Sequence, residues 1–165
     1  MKGDESMNSF NNESAQSVIQ RYSDTVYRLA FARMGNRYDA DEVYQEVFLR
    51  YVRKNPMFNS EEHRKAWLIK VTLNCCRKLS GSFWNRNTEP LDEQIAFESD
   101  FDNTLYLELK KLPPKYREVI HLFYYEDMTT EEISVVLGIR SSTVRSQLTR
   151  ARAMLRDILK EDDYV

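Results

Sequence analysis

Six side chains in the last third of the sequence, Ser142, Arg145, Ser146, Thr149, Arg150 and Arg152, have the types and spacing to read a nucleic acid. In a helix they fall on the outward side, opposite an apolar stripe of Val144, Leu148, Ala151, Leu155 and Ile158. A guanidinium can bridge O6 and N7 of guanine or hold a phosphate. Ser and Thr can reach base edges or backbone without blocking close approach. Arg140 to Arg156 carries five arginines and no acid, so the i,i+4 ion pairs of an ordinary solvated helix face are missing. With about four phosphate contacts, affinity is expected to fall with salt at a logarithmic slope of roughly −0.9 per contact.

The segment before that helix supplies what would position it. Thr129 and Glu132 have the spacing of a capping box, which predicts a helix whose Ile133, Val136 and Leu137 face inward. Gly138 offers the left-handed conformation of a short turn, and Ser141 can cap the second helix. The pattern is a helix-turn-helix, a geometry that lays its second helix in a major groove. Upstream, a short helix carries Leu105, Leu109 and Leu112. Pro114 then suits the first turn of another, with Tyr116, Val119, Ile120 and Phe123 inward.

The first half reads as three helices. Val18, Tyr22, Val26, Leu29 and Ala30 recur at helical spacing up to Gly35. Ala40, Val43, Tyr44, Val47, Phe48, Tyr51 and Val52 hold one stripe up to Pro56, with Asp39 and Glu42 placed as N-cap and reciprocal acid. A third helix starts at Ser60, Glu61 and Glu62 and runs to about Leu79. Arg64, Lys65, Lys70, Arg77 and Lys78 make it cationic, while Ala66, Trp67, Ile69, Val71, Leu73 and Cys76 spread round much of its surface, so it should be half core and half contact surface. Trp67 is read as core.

Composition narrows the rest. Four Gly and four Pro are too few for the turns of a sandwich or barrel, which favours an all-α fold. The net charge of −2 conceals blocks: six basic residues and no acid from Arg64 to Arg86, then seven acids and no base from Asn87 to Leu109. The expected architecture is two small helical domains joined by a flexible acidic linker, the second carrying the helix-turn-helix. The boundaries are a disordered tail at 1–14, a first domain at 15–80, a linker at 81–101 and a second domain at 102–162. No stretch has the length of a membrane span and the N-terminus is acidic and polar, which points to a cytoplasmic protein without membrane insertion. Cys75 and Cys76 are adjacent, which rarely allows a disulfide, and are read as small buried or surface residues in a reducing compartment. His63 and His121 are the sole histidines, and neither a phosphate loop nor a metal-ligand pattern is present, so an enzyme, a metal and a cofactor are not expected.

With these features in view, the chain resembles the extracytoplasmic-function (ECF) group of bacterial RNA polymerase sigma factors over about Val18 to Leu159. Two motifs carry the likeness. One is DADEVYQEVFLRYVRK at Asp39 to Lys54 followed by AWLIKVTLNCCRK at Ala66 to Lys78, and the other is Leu112 to Leu155. The resemblance implies that Asp41, Glu42, Gln45, Glu46 and Phe48 dock on the coiled coil of the largest subunit of core RNA polymerase. It implies that Lys70, Asn74, Arg77 and Lys78 contact the melted −10 element of promoter DNA. It also implies that Arg145, Ser146, Thr149 and Arg150 read the −35 element, with Ser142 and Thr143 near the helix start and Arg152 nearer the backbone. A contact with the polymerase flap region and an anti-sigma factor as inhibitor are implied as well. Two residues depart from the family pattern: Ser142 stands where many members have Gly, and Thr72 where many have Ala. A stand-alone helix-turn-helix regulator is the competing reading, and it leaves the first motif unexplained.

Overall fold

A computed structural model describes residues 11–82 and 107–162, all of whose regular elements are helical. Three helices build the first half: α1 (Ala15–Met34), α2 (Arg37–Lys54) and α3 (Glu61–Ser82). Helix α1 starts where the Ser14 side chain accepts from the Ser17 amide and stops at Gly35, whose φ of 79° needs a residue without Cβ. Its core is Val18, Tyr22, Val26, Ala30 and Phe31 against Val43, Val47, Phe48 and Tyr51 of α2, closed by Phe58, Leu68 and Cys76.

Several local details differ from the sequence reading. The cap of α2 is Asn36, whose Oδ1 accepts from the Asp39 amide at 2.8 Å while its Nδ2 donates to Asp39 Oδ2 at 2.7 Å. Asp39 is thus the reciprocal acid and not the cap. Val52, assigned to the buried stripe, is 53% exposed, because that stripe is wider than one helix face. Helix α3 extends past Leu79 through Gly81 and Ser82, which had been placed in the linker.

Residues 11–14, assigned to the tail, are docked. Asn11 exchanges two hydrogen bonds with the Phe58 backbone, and Glu13 pairs with Arg21 and Arg64. Arg64 itself, expected on a cationic surface, is almost fully buried: it reaches Glu13 Oε2 at 3.0 Å and Glu61 Oε1 at 2.6 Å, with its guanidinium 5.5 Å from the Phe58 ring centroid. Burial of an arginine is sustainable only with such partners. Residues 1–10 and 83–106, including Trp84, Leu105 and most of the predicted linker, lie outside the described residues.

The second half begins with a helical turn at 107–110, followed by α4 (Pro114–Ile120), which passes into a π-helical turn at His121–Tyr125. Helices α5 (Thr130–Leu137) and α6 (Ser141–Asp162) complete it. The Thr129 to Glu132 capping box is formed in both directions, and Gly138 is left-handed at φ 66°. Ser141 is already the first residue of α6, and the Val144 amide reaches back to the Arg140 carbonyl at 3.1 Å.

The two halves share a core. Leu29 of α1 and Ile69 and Leu73 of α3 are buried among Leu109, Leu112, Tyr116, Val119, Leu122 and Ile133. Burial of an aliphatic side chain of this size stabilises by about 1.5–3 kcal/mol. The contact surface expected on α3 is therefore filled, within this chain, by the second half.

Candidate nucleic-acid interface

All seven residues predicted to face the −35 element, Ser142, Thr143, Arg145, Ser146, Thr149, Arg150 and Arg152, are exposed on α6, while Val144, Leu148 and Ala151 are buried beneath them. Ser142, Ser146 and Thr149 lie along the middle of the free face. Arg145 and Arg152 lie along one edge and Thr143 and Arg150 along the other, by the helical angle of 100° per residue. A strip of small hydroxyls flanked by guanidiniums fits a groove floor with phosphates on either side. The face is lightly tied down. Arg145 donates to Ser141 Oγ at 3.4 Å, and the Thr149 hydroxyl is turned back to the Arg145 carbonyl at 3.0 Å. Ser142 is exposed in the first turn, so a side chain there in place of glycine meets no packing constraint.

The second basic cluster is also assembled on one face. Lys70, Asn74, Arg77 and Lys78 are exposed along α3 at i, i+4, i+7 and i+8. Arg77 donates to Asn74 Oδ1 at 3.3 Å, which joins the two most specific of the four. Unlike the first face, this one is partly occupied. Arg77 Nη2 stands 3.5 Å from Glu118 Oε1 of α4, and Glu118 Oε2 is 3.9 Å from Arg33 Nε. Lys65 pairs with Glu126 Oε2 at 3.2 Å. Arg117 completes the seam by donating to the Arg33 carbonyl at 3.1 Å at the end of α1, with its guanidinium close over Gly35. Burial pushes the Glu118 carboxyl up and Arg33 and Arg77 pull it back incompletely, so it stays above its ordinary value. Burial acts the same way on Glu126, but His121 and Lys65 outweigh it and hold that carboxyl below its ordinary value. Nothing in the sequence marked Arg33, Arg117, Glu118 or Glu126, because their partners are tens of residues away.

A third feature borders the cationic face at Lys78. Glu42, Gln45, Glu46, Leu49 and Arg50 of α2 and Cys75, Lys78 and Leu79 of α3 line an open groove of about 430 Å³. Asp41, Glu42 and Gln45 are exposed beside it and Glu46 is half-buried, paired with Arg50 at 2.7 Å. Phe48, expected as the apolar anchor of this face, is 5% exposed and belongs to the core. The large apolar side chains of α2 that do reach solvent are Tyr38, Leu49 and Val52, none of which the sequence reading placed on this surface. Tyr38, Gln45 and Val52 repeat every seven residues, the period with which one helix packs along another.

The remaining candidates carry no chemistry of their own. Cys75 and Cys76 are free and buried, burial raises both thiols, and Cys76 is pushed up to about 12, which disfavours thiolate chemistry. Trp67 is half-buried against Tyr51 and Phe58. Thr72 is buried and its hydroxyl donates to the Leu68 carbonyl at 2.7 Å, so the substituted position is satisfied within its own helix. Among the described residues no group of His, Cys, Asp and Glu is arranged to hold a metal, and no helix is long and apolar enough to cross a membrane.

Comparison with known proteins converges on one family. Residues 18–80 match sigma-70 region 2 and residues 102–155 match sigma-70 region 4. The RNA polymerase sigma-E factor of Streptomyces coelicolor is 30% identical over 156 residues, which cover 90% of this chain and 87% of that one. The ECF RNA polymerase sigma factor SigE of Mycolicibacterium smegmatis is 31% identical over 159 residues, 88% of this chain, which spans 62% of that relative's length. The fold is that of the sigma factor RpoE of Bartonella quintana, solved with the anti-sigma factor NepR, at a TM-score of 0.72 and 20% identity over 88% of this chain and 96% of that one. By these matches the chain belongs to the ECF group of RNA polymerase sigma factors.

Proposed function

We propose that this protein is an alternative sigma factor that directs core RNA polymerase to its own promoters, with labour divided between the two halves. Residues 15–80 dock on the polymerase and open the −10 element, and residues 102–162 read the −35 element in the major groove. The observation that carries the reading is the coexistence, on one chain, of an unobstructed reading helix with a separate cationic face and a heptad-spaced α2 stripe. A stand-alone regulator needs the first and has no use for the other two. Asp41, Glu42, Gln45 and Glu46 with Leu49, Tyr38 and Val52 would pack along the coiled coil of the largest subunit. Phe48 supports that surface from beneath. Lys70, Asn74, Arg77 and Lys78 would hold the separated strand. The second half also meets the polymerase flap region. The protein catalyses no reaction itself, works in the cytoplasm and is restrained by an anti-sigma factor, as the NepR complex of the Bartonella protein illustrates for that chain.

Spanning both elements demands that the halves part. The elements are roughly 25 base pairs apart, about 85 Å of duplex at ~3.4 Å per base pair, whereas a compact chain of this length has a radius of gyration of about 15 Å. Arg77 and Lys65 must then exchange Glu118 and Glu126 for other partners. Sigma-free core polymerase supplemented with the full chain, assayed for transcripts from a library of genomic promoter fragments, tests the reading. Defined start sites that need both components are expected, and their absence on every fragment would refute it.

A further inference from the structure

The π-helical turn at His121–Tyr125, which no periodicity announces, carries two aromatic side chains, Phe123 and Tyr124, that belong to none of the three faces. The turn is closed by the Glu126 amide on the His121 carbonyl at 3.2 Å and steadied by His121, buried and stacked on Tyr125 at 5.2 Å. It places Tyr124, 53% exposed, against the middle of α6. There Arg152 Nε donates to Tyr124 Oη at 2.7 Å, and the guanidinium lies 5.3 Å from the Phe123 ring centroid and 5.6 Å from that of Tyr124. Those two rings meet edge to face at 4.9 Å. One hydrogen bond and two ring faces fix the plane of an otherwise mobile side chain.

The geometry points to Tyr124 as a further DNA-backbone residue, one that positions Arg152 and forms with it a two-residue clamp for a phosphate. Among the described residues only the Nε of Arg152 is hydrogen-bonded, so the fork of Nη groups keeps its donors for an anion. Tyr124 accepts from Arg152 and retains its own hydroxyl proton, which can go to the same phosphate. Arg145, Arg152 and Arg156 follow one another at i, i+7 and i+11, so the clamp sits midway along a cationic edge of the reading helix. Fixing the guanidinium in advance lowers the conformational entropy lost when the phosphate binds. This inference rests on the α6 face being the DNA-reading surface.

Because a phosphate contact is blind to sequence, the full chain can be tested by fluorescence anisotropy on a mixed-sequence duplex of about 30 base pairs across a salt series. Arg152→Ala is expected to weaken binding and to reduce the salt slope by about 0.9. Tyr124→Phe keeps the ring and removes the hydroxyl. It should weaken binding by about tenfold in the wild-type background and have no effect in the Arg152→Ala background, with thermal unfolding unchanged. Tyr124→Phe binding like wild type, or losses that simply add in the double variant, would overturn the clamp. A wild-type chain whose affinity ignores salt would instead overturn the DNA-reading surface on which it rests.

Discussion

The two cationic faces of this protein are built in opposite ways. On α6 the basic and hydroxyl side chains are exposed over a local stripe of Val144, Leu148 and Ala151, and among the described residues only Arg152 of that face hydrogen-bonds to another element, at Tyr124. On α3 the basic side chains share a helix with Ile69 and Leu73, which are buried against the other half, and Arg77 already faces the Glu118 carboxylate. The reading face is available whatever the two halves do. The melting face is linked to how they sit together, so changes that loosen the seam act on α3 while leaving α6 alone.

The largest expected effect lies in that seam. Leu73→Ala removes a side chain 1% exposed between the halves and should destabilise the closed arrangement by about 2–5 kcal/mol. Small-angle scattering would then show a larger radius of gyration, while affinity for a −35 duplex stays unchanged. Smaller in effect, Arg145→Ala and Arg150→Ala should each lower −35 affinity by roughly tenfold or more without moving the unfolding midpoint, since both are exposed. A matched loss of stability would erase the contrast between the two faces.

Acidity offers a subtler test, because Glu118 and Glu126 are shifted in opposite directions. A raised carboxyl takes up its proton in the closed form before it does in the open one. The Glu118 contribution to closure is therefore fully present below the ordinary carboxylate range and is lost as pH rises through its raised value. Of the groups that lower Glu126, Lys65 lies across the seam, and its pairing contributes to closure above the ordinary range and is lost as pH falls through the lowered value, while His121 stays beside Glu126 in its own half. Closure should strengthen from neutral pH toward the carboxylate range and weaken below it. A scattering radius that changes in one direction only would contradict the assignment. Lys65→Met comes last, at no more than about 1 kcal/mol in urea unfolding, because Lys65 is more than a third exposed.

Local signals in the sequence proved readable and distant ones did not. The Thr129 and Glu132 capping box, the Gly138 turn and the α6 stripe each depend on residues within one or two turns, and all three form as their spacing requires. Asn36 escaped notice because Asp39, three residues on, has the same capping chemistry and takes the second role. Phe48 and Val52 were read into one stripe, but only Phe48 turns inward, since a stripe of seven residues cannot show which edge faces the core. Arg64 read as a surface cation because one partner, Glu13, comes from a segment taken for a free tail, and another, the Phe58 ring, from the connection before α3. The seam around Glu118 joins positions 33, 77 and 118, and no periodicity reports such a contact.

On the proposed function, one chain both reads duplex and, with polymerase, opens it. Permanganate reactivity of thymines at the −10 element of a promoter recovered from the transcription assay tests this most directly. Reactivity is predicted only when the protein and core polymerase are both present, and it should be lost with Asn74→Ala and Arg77→Ala combined. Opening by either component alone, or full opening by the double variant, would contradict it.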